Sequence, residues 1–322
     1  MTVIDNFGGW GFCQQLTDRL HKDHPRAINI AEYWRDDQSW VIKPTSQMGA
    51  GFDAVWYAGL RGAIRGVLGQ AAGGVGAFVN FDPVRDNLGR PGGFTAAWRA
   101  VQHLENHDKV RIDSGDHEPR IAALAGGNDS RSWYGRSRTR VATGLLLTAP
   151  GIPMLFMGEE FLEDKLWSEN PKAHPGTLIW WDGLDSGRDK AMVGQRWFAH
   201  DVAWLRRRYK ALRGESINPF HVHNDNRVIA FQRWVEFEGR DVVVVASLNE
   251  VNQFGYVLGF PQPGLWLEVL NGDIYDNGGN PNPVGNGGSI HADGPPAHGL
   301  PCSAAIVIPA NGFLVFARNP GD

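Results

Sequence analysis

Cysteine is almost missing from this chain: Cys13 and Cys302 stand alone, far apart, among 322 residues. Two unlinked thiols exclude a disulfide scaffold, and no Cys/His cluster has the spacing of a zinc site, so no bound metal is expected. Long apolar runs are absent too. Nothing approaches the roughly 20 consecutive apolar residues that span a bilayer, which excludes a membrane-embedded chain. Charge of one sign is not in excess either: 31 basic against 35 acidic residues leave a formal net charge of −4, with no basic footprint for nucleic acid. The opening Met1–Asn6 has neither the basic nor the apolar part of a signal peptide. What remains is a water-soluble chain long enough for about two domains and a sizeable core.

Three apolar runs end abruptly on carboxylates. Ala27–Ala31 ends at Glu32, Ala97–His103 leads into Leu104-Glu105-Asn106-His107-Asp108, and Gly151–Gly158 ends at Glu159 and Glu160. In (β/α) barrels the residues at the C-terminal ends of strands reach the substrate, so three such ends predict one shared site. Asn-His-Asp is also good turn and cap chemistry, and Glu159 and Glu160 suit a helix start as well as a pocket wall. Tryptophan is abundant, with 13 in the chain. Trp34, Trp40, Trp56, Trp133, Trp167, Trp180 and Trp181 lie beside polar residues, and an aromatic face next to hydrogen-bonding groups suits a sugar ring.

Hydrophobic periodicity divides the chain. Phe12, Leu16 and Leu20 predict a helix over 10–22, with strands at Ala27–Ala31, Gly51–Trp56, Thr95–His103 and Ile152–Met157. Helices are predicted over Ala58–Leu68, Arg138–Thr148 and Ala199–Leu212. From Asn218 onward short β-rich runs alternate with Gly, Pro and Asn clusters, the pattern of an antiparallel sandwich. Its strands are expected at 228–235, 241–248, 256–260, 265–270, 304–308 and 313–316, and 271–299 reads as a long surface loop. The boundary is expected near 214–219, giving a first domain over 1–215 and a second over 216–322.

The strand ends, their order and the terminal sandwich together resemble the alpha-amylase superfamily of glycoside hydrolases, and within it the 1,4-alpha-glucan branching enzymes. The similar segments are Ile30-Ala31-Glu32, Trp40–Pro44 leading into Gly49–Trp56, Glu105–Asp108 and Gly151–Phe161. The resemblance implies part of a (β/α)₈ barrel, about strands five to eight, followed by a β-sandwich. It also implies a retaining reaction on an alpha-1,4-glucan such as glycogen, amylose or starch, with no cofactor, in the bacterial cytoplasm. By position Glu32 resembles the general acid/base, Asp108 the aspartate that stabilises the transition state, and His107 the histidine that binds sugar hydroxyls. Trp34 and Glu159 are further candidates for substrate contact. The acid needs a raised pKa, which an apolar strand end can supply, and a nucleophile about 5–5.5 Å away.

That nucleophile, usually in a Gly-Phe-Arg-Phe-Asp-like segment before the acid, has no counterpart. Asp5 lacks the arginine, and Asp18 lies inside a predicted helix. Gly51-Phe52-Asp53 follows the acid and lacks the arginine, so Asp53 is expected to be structural. The resemblance therefore implies the C-terminal part of a larger enzyme, partnered by a missing N-terminal half and inactive alone. An amylase-type hydrolase and a non-catalytic glucan-binding remnant are the alternatives.

Overall fold

The computed structural model describes residues 8–35, 37–127 and 129–318. The first part alternates helix and strand: α1 (Gly9–Asp23), β1 (Ile30–Ala31), α2 (Ser39–Ile42), β2 (Ala54–Tyr57), α3 (Gly59–Ala72) and α4 (Asp82–Asn87), then β3 (Ala100–His103), α5 (Ile121–Gly126), α6 (Trp133–Thr148), β4 (Ile152–Met154), α7 (Trp181–Asp185) and α8 (Lys190–Arg208). The four strands form one parallel sheet in sequence order, with Ile30 opposite Ala54, Val55 opposite Ala100 and Val101 opposite Ile152. Four adjacent parallel strands with helical connections are a partial (β/α) barrel, and all four C-terminal ends lie at one end of it.

Helix α1 is where Phe12, Leu16 and Leu20 predicted it, but a different face is inward. Phe12 and Leu16 are exposed, whereas Gly9 and Thr17 are buried and Cys13 lies part-buried between them at helical spacing. Thr17 Oγ1 donates to the Ala50 carbonyl at 2.7 Å. Small residues let the helix sit close to the segment entering β2. Helix α8 starts and ends earlier than expected, because Asp189 caps it by accepting from Ala191 N and Met192 N and the chain turns into a 3₁₀ segment at Lys210.

The second part holds β5 (Ser216–His223), β6 (Val228–Trp234), β7 (Val242–Ser247), β8 (Gln253–Phe260), β9 (Leu265–Asn271), β10 (Ser289–His291), β11 (Cys302–Ile308) and β12 (Phe313–Ala317). A six-stranded antiparallel sheet in the order β10-β9-β12-β7-β6-β5 faces the pair β11-β8. The expected loop over 271–299 contains a 3₁₀ segment, Gly272–Gly278, and the short strand β10.

Strand β7 reads Val-Val-Val-Val-Ala-Ser and is buried throughout. Its residues alternate between two cores: Val243 and Val245 point into the sandwich with Leu258, Phe260 and Trp266, while Val242, Val244 and Ala246 join the core of α3, α6 and α8. Side chains alternate faces along a strand, so a strand covered on both sides has no polar face to show. Strands β6 and β12 divide in the same way. Gly144 of α6 makes the approach possible, since a Cβ there would lie 2.7 Å from the Phe313 ring.

Buried arginines join the two parts. Arg227 donates to the carbonyls of Gly74 at 3.0 Å and Val75 at 2.6 Å, just past the end of α3. Arg233, fully buried on β6, donates to the carbonyls of Thr148, at the end of α6, and of Gly214. The Asn224 carboxamide accepts from Phe81 N at 2.8 Å.

Candidate active-site cleft

Glu32 is the first residue after β1, and Trp34 Nε1 donates to its Oε1 at 3.0 Å. The Trp34 ring meets Trp56 of β2 edge-on with 6.2 Å between centroids, and lies 6.0 Å from His103 at the end of β3. Trp56 in turn meets His107 at 6.0 Å, and His107 meets Trp167 at 6.5 Å. Trp167 Nε1 fixes this end by donating to the His107 carbonyl at 2.6 Å. His107 Nε2 lies 3.4 Å from Asp108 Oδ1, and both side chains are about half exposed. A string of rings thus connects Glu32 and Asp108 across the ends of β1, β2 and β3.

A cleft of about 560 Å³ opens there, lined among others by Trp34, Arg61, His103, Asn106, Asp108 and Asp116. The Asn-His-Asp turn separates into two jobs. Asn106 is buried; its Oδ1 accepts from Lys109 N at 2.9 Å and its Nδ2 donates to His103 Nε2 at 3.2 Å. It shapes the turn, which leaves His107 and Asp108 facing outward. Burial, reinforced by the Arg61 charge, lowers the His103 pKa to about 4, so a neutral ring accepts that bond. Arg61 is held at the wall by Glu118, with Nη2 2.5 Å from Oε2. Hydrogen bonds from Lys109 and Ser114 and the Lys109 charge lower the exposed Asp116 carboxyl to about 2. Arg61 and His103 were not singled out from sequence; His103 precedes the motif by two residues in an apolar run, and only pairing with β2 places its ring.

Two expectations need correcting. Glu159, a candidate for substrate contact, is 2% exposed and faces away from solvent. It follows β4, but Phe156 N donates to its Oε2 at 3.1 Å and folds it under the strand ends beside Glu105. Burial and then the Glu105 charge raise its pKa well above the ordinary range. Glu105 is also buried, paired with Arg120 and accepting from Ile121 N. Burial pushes its carboxyl up too, while the Arg120 charge and the Ile121 N–H favour its charged form. The Glu159 carboxylate therefore does not reach the cleft, whose lining holds Asp108 from beyond β3 and Trp34 from beyond β1. The second correction concerns Glu32, which is exposed, not enclosed by apolar neighbours. The reason is that β1 is a two-residue edge strand and hands the next residue directly to the surface.

Asp53 lies at the opposite end of the sheet, one residue before β2, where its Oδ2 accepts from Asn29 N at 2.8 Å and both oxygens lie 3.2 Å from His21 Nε2. Asp18, on α1, accepts from Thr45 Oγ1 at 2.8 Å; Asp5 is outside the described residues. Among the described residues no group of three or more His, Cys, Asp or Glu is placed to hold a metal ion, and no helix is long and apolar enough to cross a membrane.

Residues 221–319 match the family described as the alpha amylase, C-terminal all-beta domain. A 1,4-alpha-glucan branching enzyme GlgB of Burkholderia pseudomallei (strain K96243) is 32% identical over 319 residues, covering 95% of this chain and 39% of the relative. The GlgB of Albidiferax ferrireducens is 26% identical, over 98% of this chain and 47% of its own length. The chain thus spans less than half the length of these curated relatives. Among solved structures, an alpha-amylase from Geobacillus thermoleovorans complexed with acarbose superposes with a TM-score of 0.66 at 16% identity, covering 96% of this chain and 57% of that one. A multi-modular glycogen-degrading pneumococcal virulence factor, SpuA, gives 0.65 at 15% identity over 95% of this chain and 36% of its own. The fold they share is the partial barrel and sandwich described above. Together these likenesses support a member of the alpha-amylase glycoside hydrolases, family 13, most similar in sequence to 1,4-alpha-glucan branching enzymes.

Proposed function

We propose that this chain carries the acid/base and the stabilising carboxylate of a retaining alpha-glucan branching site, which cleaves an alpha-1,4 bond and transfers the released chain to a 6-hydroxyl. In this reading residues 1–215 form the catalytic part and 216–322 accompany it. Glu32 protonates the departing oxygen and then deprotonates the incoming hydroxyl, Asp108 stabilises positive charge at the anomeric centre, and His107 and Trp34 hold the sugar. The nucleophile comes from outside the described residues, in an N-terminal half of the enzyme, so the chain alone binds glucan without turning it over. The observation that carries the reading is the string of rings from Trp34 to His107, whose two ends touch Glu32, through Trp34 Nε1, and Asp108, through His107.

Neutral glucan fits a cleft whose cations are already paired with carboxylates. The test is to incubate the chain with amylose and analyse both binding and linkage. Binding without turnover, weakened by Trp34→Ala, is expected. Turnover by the chain alone would overturn the placement of the nucleophile, and its products would then decide the chemistry: new alpha-1,6 linkages mean branching and short linear sugars mean hydrolysis. Binding left undiminished by Glu32→Gln, Asp108→Asn and Trp34→Ala together would remove the cleft from the account.

A further inference from the structure

Helix α8 carries a second set of groups that the cleft does not use. Trp197, Asp201, Trp204 and Arg208 recur at spacings of four, three and four, which places them on one side of a helix. The buried side is elsewhere on the helix, at Phe198, Val202 and Leu205. Trp197 and Trp204 are 50% and 47% exposed, and seven residues of helical rise put them about 10 Å apart along the axis. Two indoles half in water on one stripe forgo burial that the core offers their neighbours.

Beside Trp204 the surface dips into a pocket of about 330 Å³ between α8 and β9, with Leu205 and Leu270 in its lining and Asp201, His200 and Tyr275 as its polar groups. Asp201 is held in place: Tyr275 Oη donates to Oδ2 at 2.7 Å, and His200 Nδ1 lies 2.8 Å from Oδ1. A carboxylate has more lone pairs than these two partners occupy, and 40% of this side chain is exposed. Arg196 and Arg208 lie 5.9 and 5.0 Å from the ring centres of Trp197 and Trp204, adding donors to the same stripe. Apolar ring faces alternating with fixed acceptors and donors match a pyranose, which has apolar C–H faces and hydroxyls around its edge. A lipid tail offers Asp201 no donor, and a nucleic-acid phosphate would be repelled by it.

We propose that the Trp197–Trp204 stripe of α8, with the pocket at Asp201, is a second carbohydrate site that holds a linear alpha-glucan chain apart from the cleft. The choice of alpha-glucan rests on the function proposed above.

Oxidation of tryptophans by N-bromosuccinimide in the full chain, mapped by mass spectrometry with and without maltoheptaose, tests it. Protection of Trp197 and Trp204 is expected, and it persists in Trp34→Ala. Trp204→Ala is expected to weaken maltoheptaose binding to this site about tenfold, and Trp204→Phe to retain most of it. Protection of Trp34 without Trp197 and Trp204 would overturn the second site and leave the cleft. Protection of Trp197 and Trp204 without Trp34 would support the second site and count against the cleft. Protection of none would overturn both.

Discussion

His103 is a base that the fold keeps uncharged. An ordinary histidine titrates near 6.5, whereas burial and the Arg61 charge hold this one at about 4. The folded state therefore prefers the neutral ring. That contribution is fully present above pH 6.5 and is lost as the pH falls through 4, and the gap is worth on the order of 3 kcal/mol. Thermal melts between pH 7 and pH 4 should show a steep loss of stability that is shallower in His103→Gln, which keeps an acceptor for Asn106. His221, also lowered to about 4 by burial and by His298 and His223, leaves part of the slope in place. An unchanged slope in the variant would refute the assignment. Of the residues read from sequence, Asp108, His107 and Trp34 are at the cleft because each follows a strand end, a feature that local pattern records. The setting of Glu32 was not legible, since exposure depends on whether a strand is central or at an edge.

The end of β3 and the turn after β4 are joined beneath the cleft by Glu105, Arg120 and Glu159. Removing one member of the buried Glu105–Arg120 pair leaves a charge uncompensated, so Glu105→Gln should cost about 3–5 kcal/mol. Glu159→Gln should behave oppositely. Its folded pKa is raised, so wild type loses stability as the pH rises above about 4.5, the ordinary value, towards the folded value. The glutamine variant should match wild type at pH 4 and equal or exceed it at pH 7 in urea titrations; a large loss at pH 7 would show that Glu159 is needed as a charge. A Gly-Glu-Glu turn reads alike whether its carboxylates are wet or dry, which is why sequence offered Glu159 as a substrate contact. Strands β1 to β4, β6 to β9, β11 and β12 were legible as apolar runs between breakers. Strand β5 was not, because Asn218, Pro219, His221 and His223 interrupt its apolar residues, and β10 is hidden in a Gly- and Asn-rich stretch where pairing with β9 supplies the order.

The two sheets differ in topology but share one core, which runs from Leu60 and Leu68 of α3 through Leu145 of α6 and Phe198 of α8 to Phe231, Val244 and Phe313. A change of pattern near 214–219 marks where antiparallel strands begin, and the packing makes the two sides mutually dependent. Calorimetry should therefore show one cooperative endotherm, and Arg227→Ala should move the whole of it downward. Two resolved transitions would contradict a shared core. The arginines also set an order of events. Arg227, in the turn before β6, and Arg233, on β6, are made late in synthesis, yet the carbonyls they satisfy lie just past the end of α3 and at the end of α6, made early. While the chain is being made, α3 and α6 must wait with those carbonyls in water, and the half-sheet cannot settle until the sandwich has followed it off the ribosome.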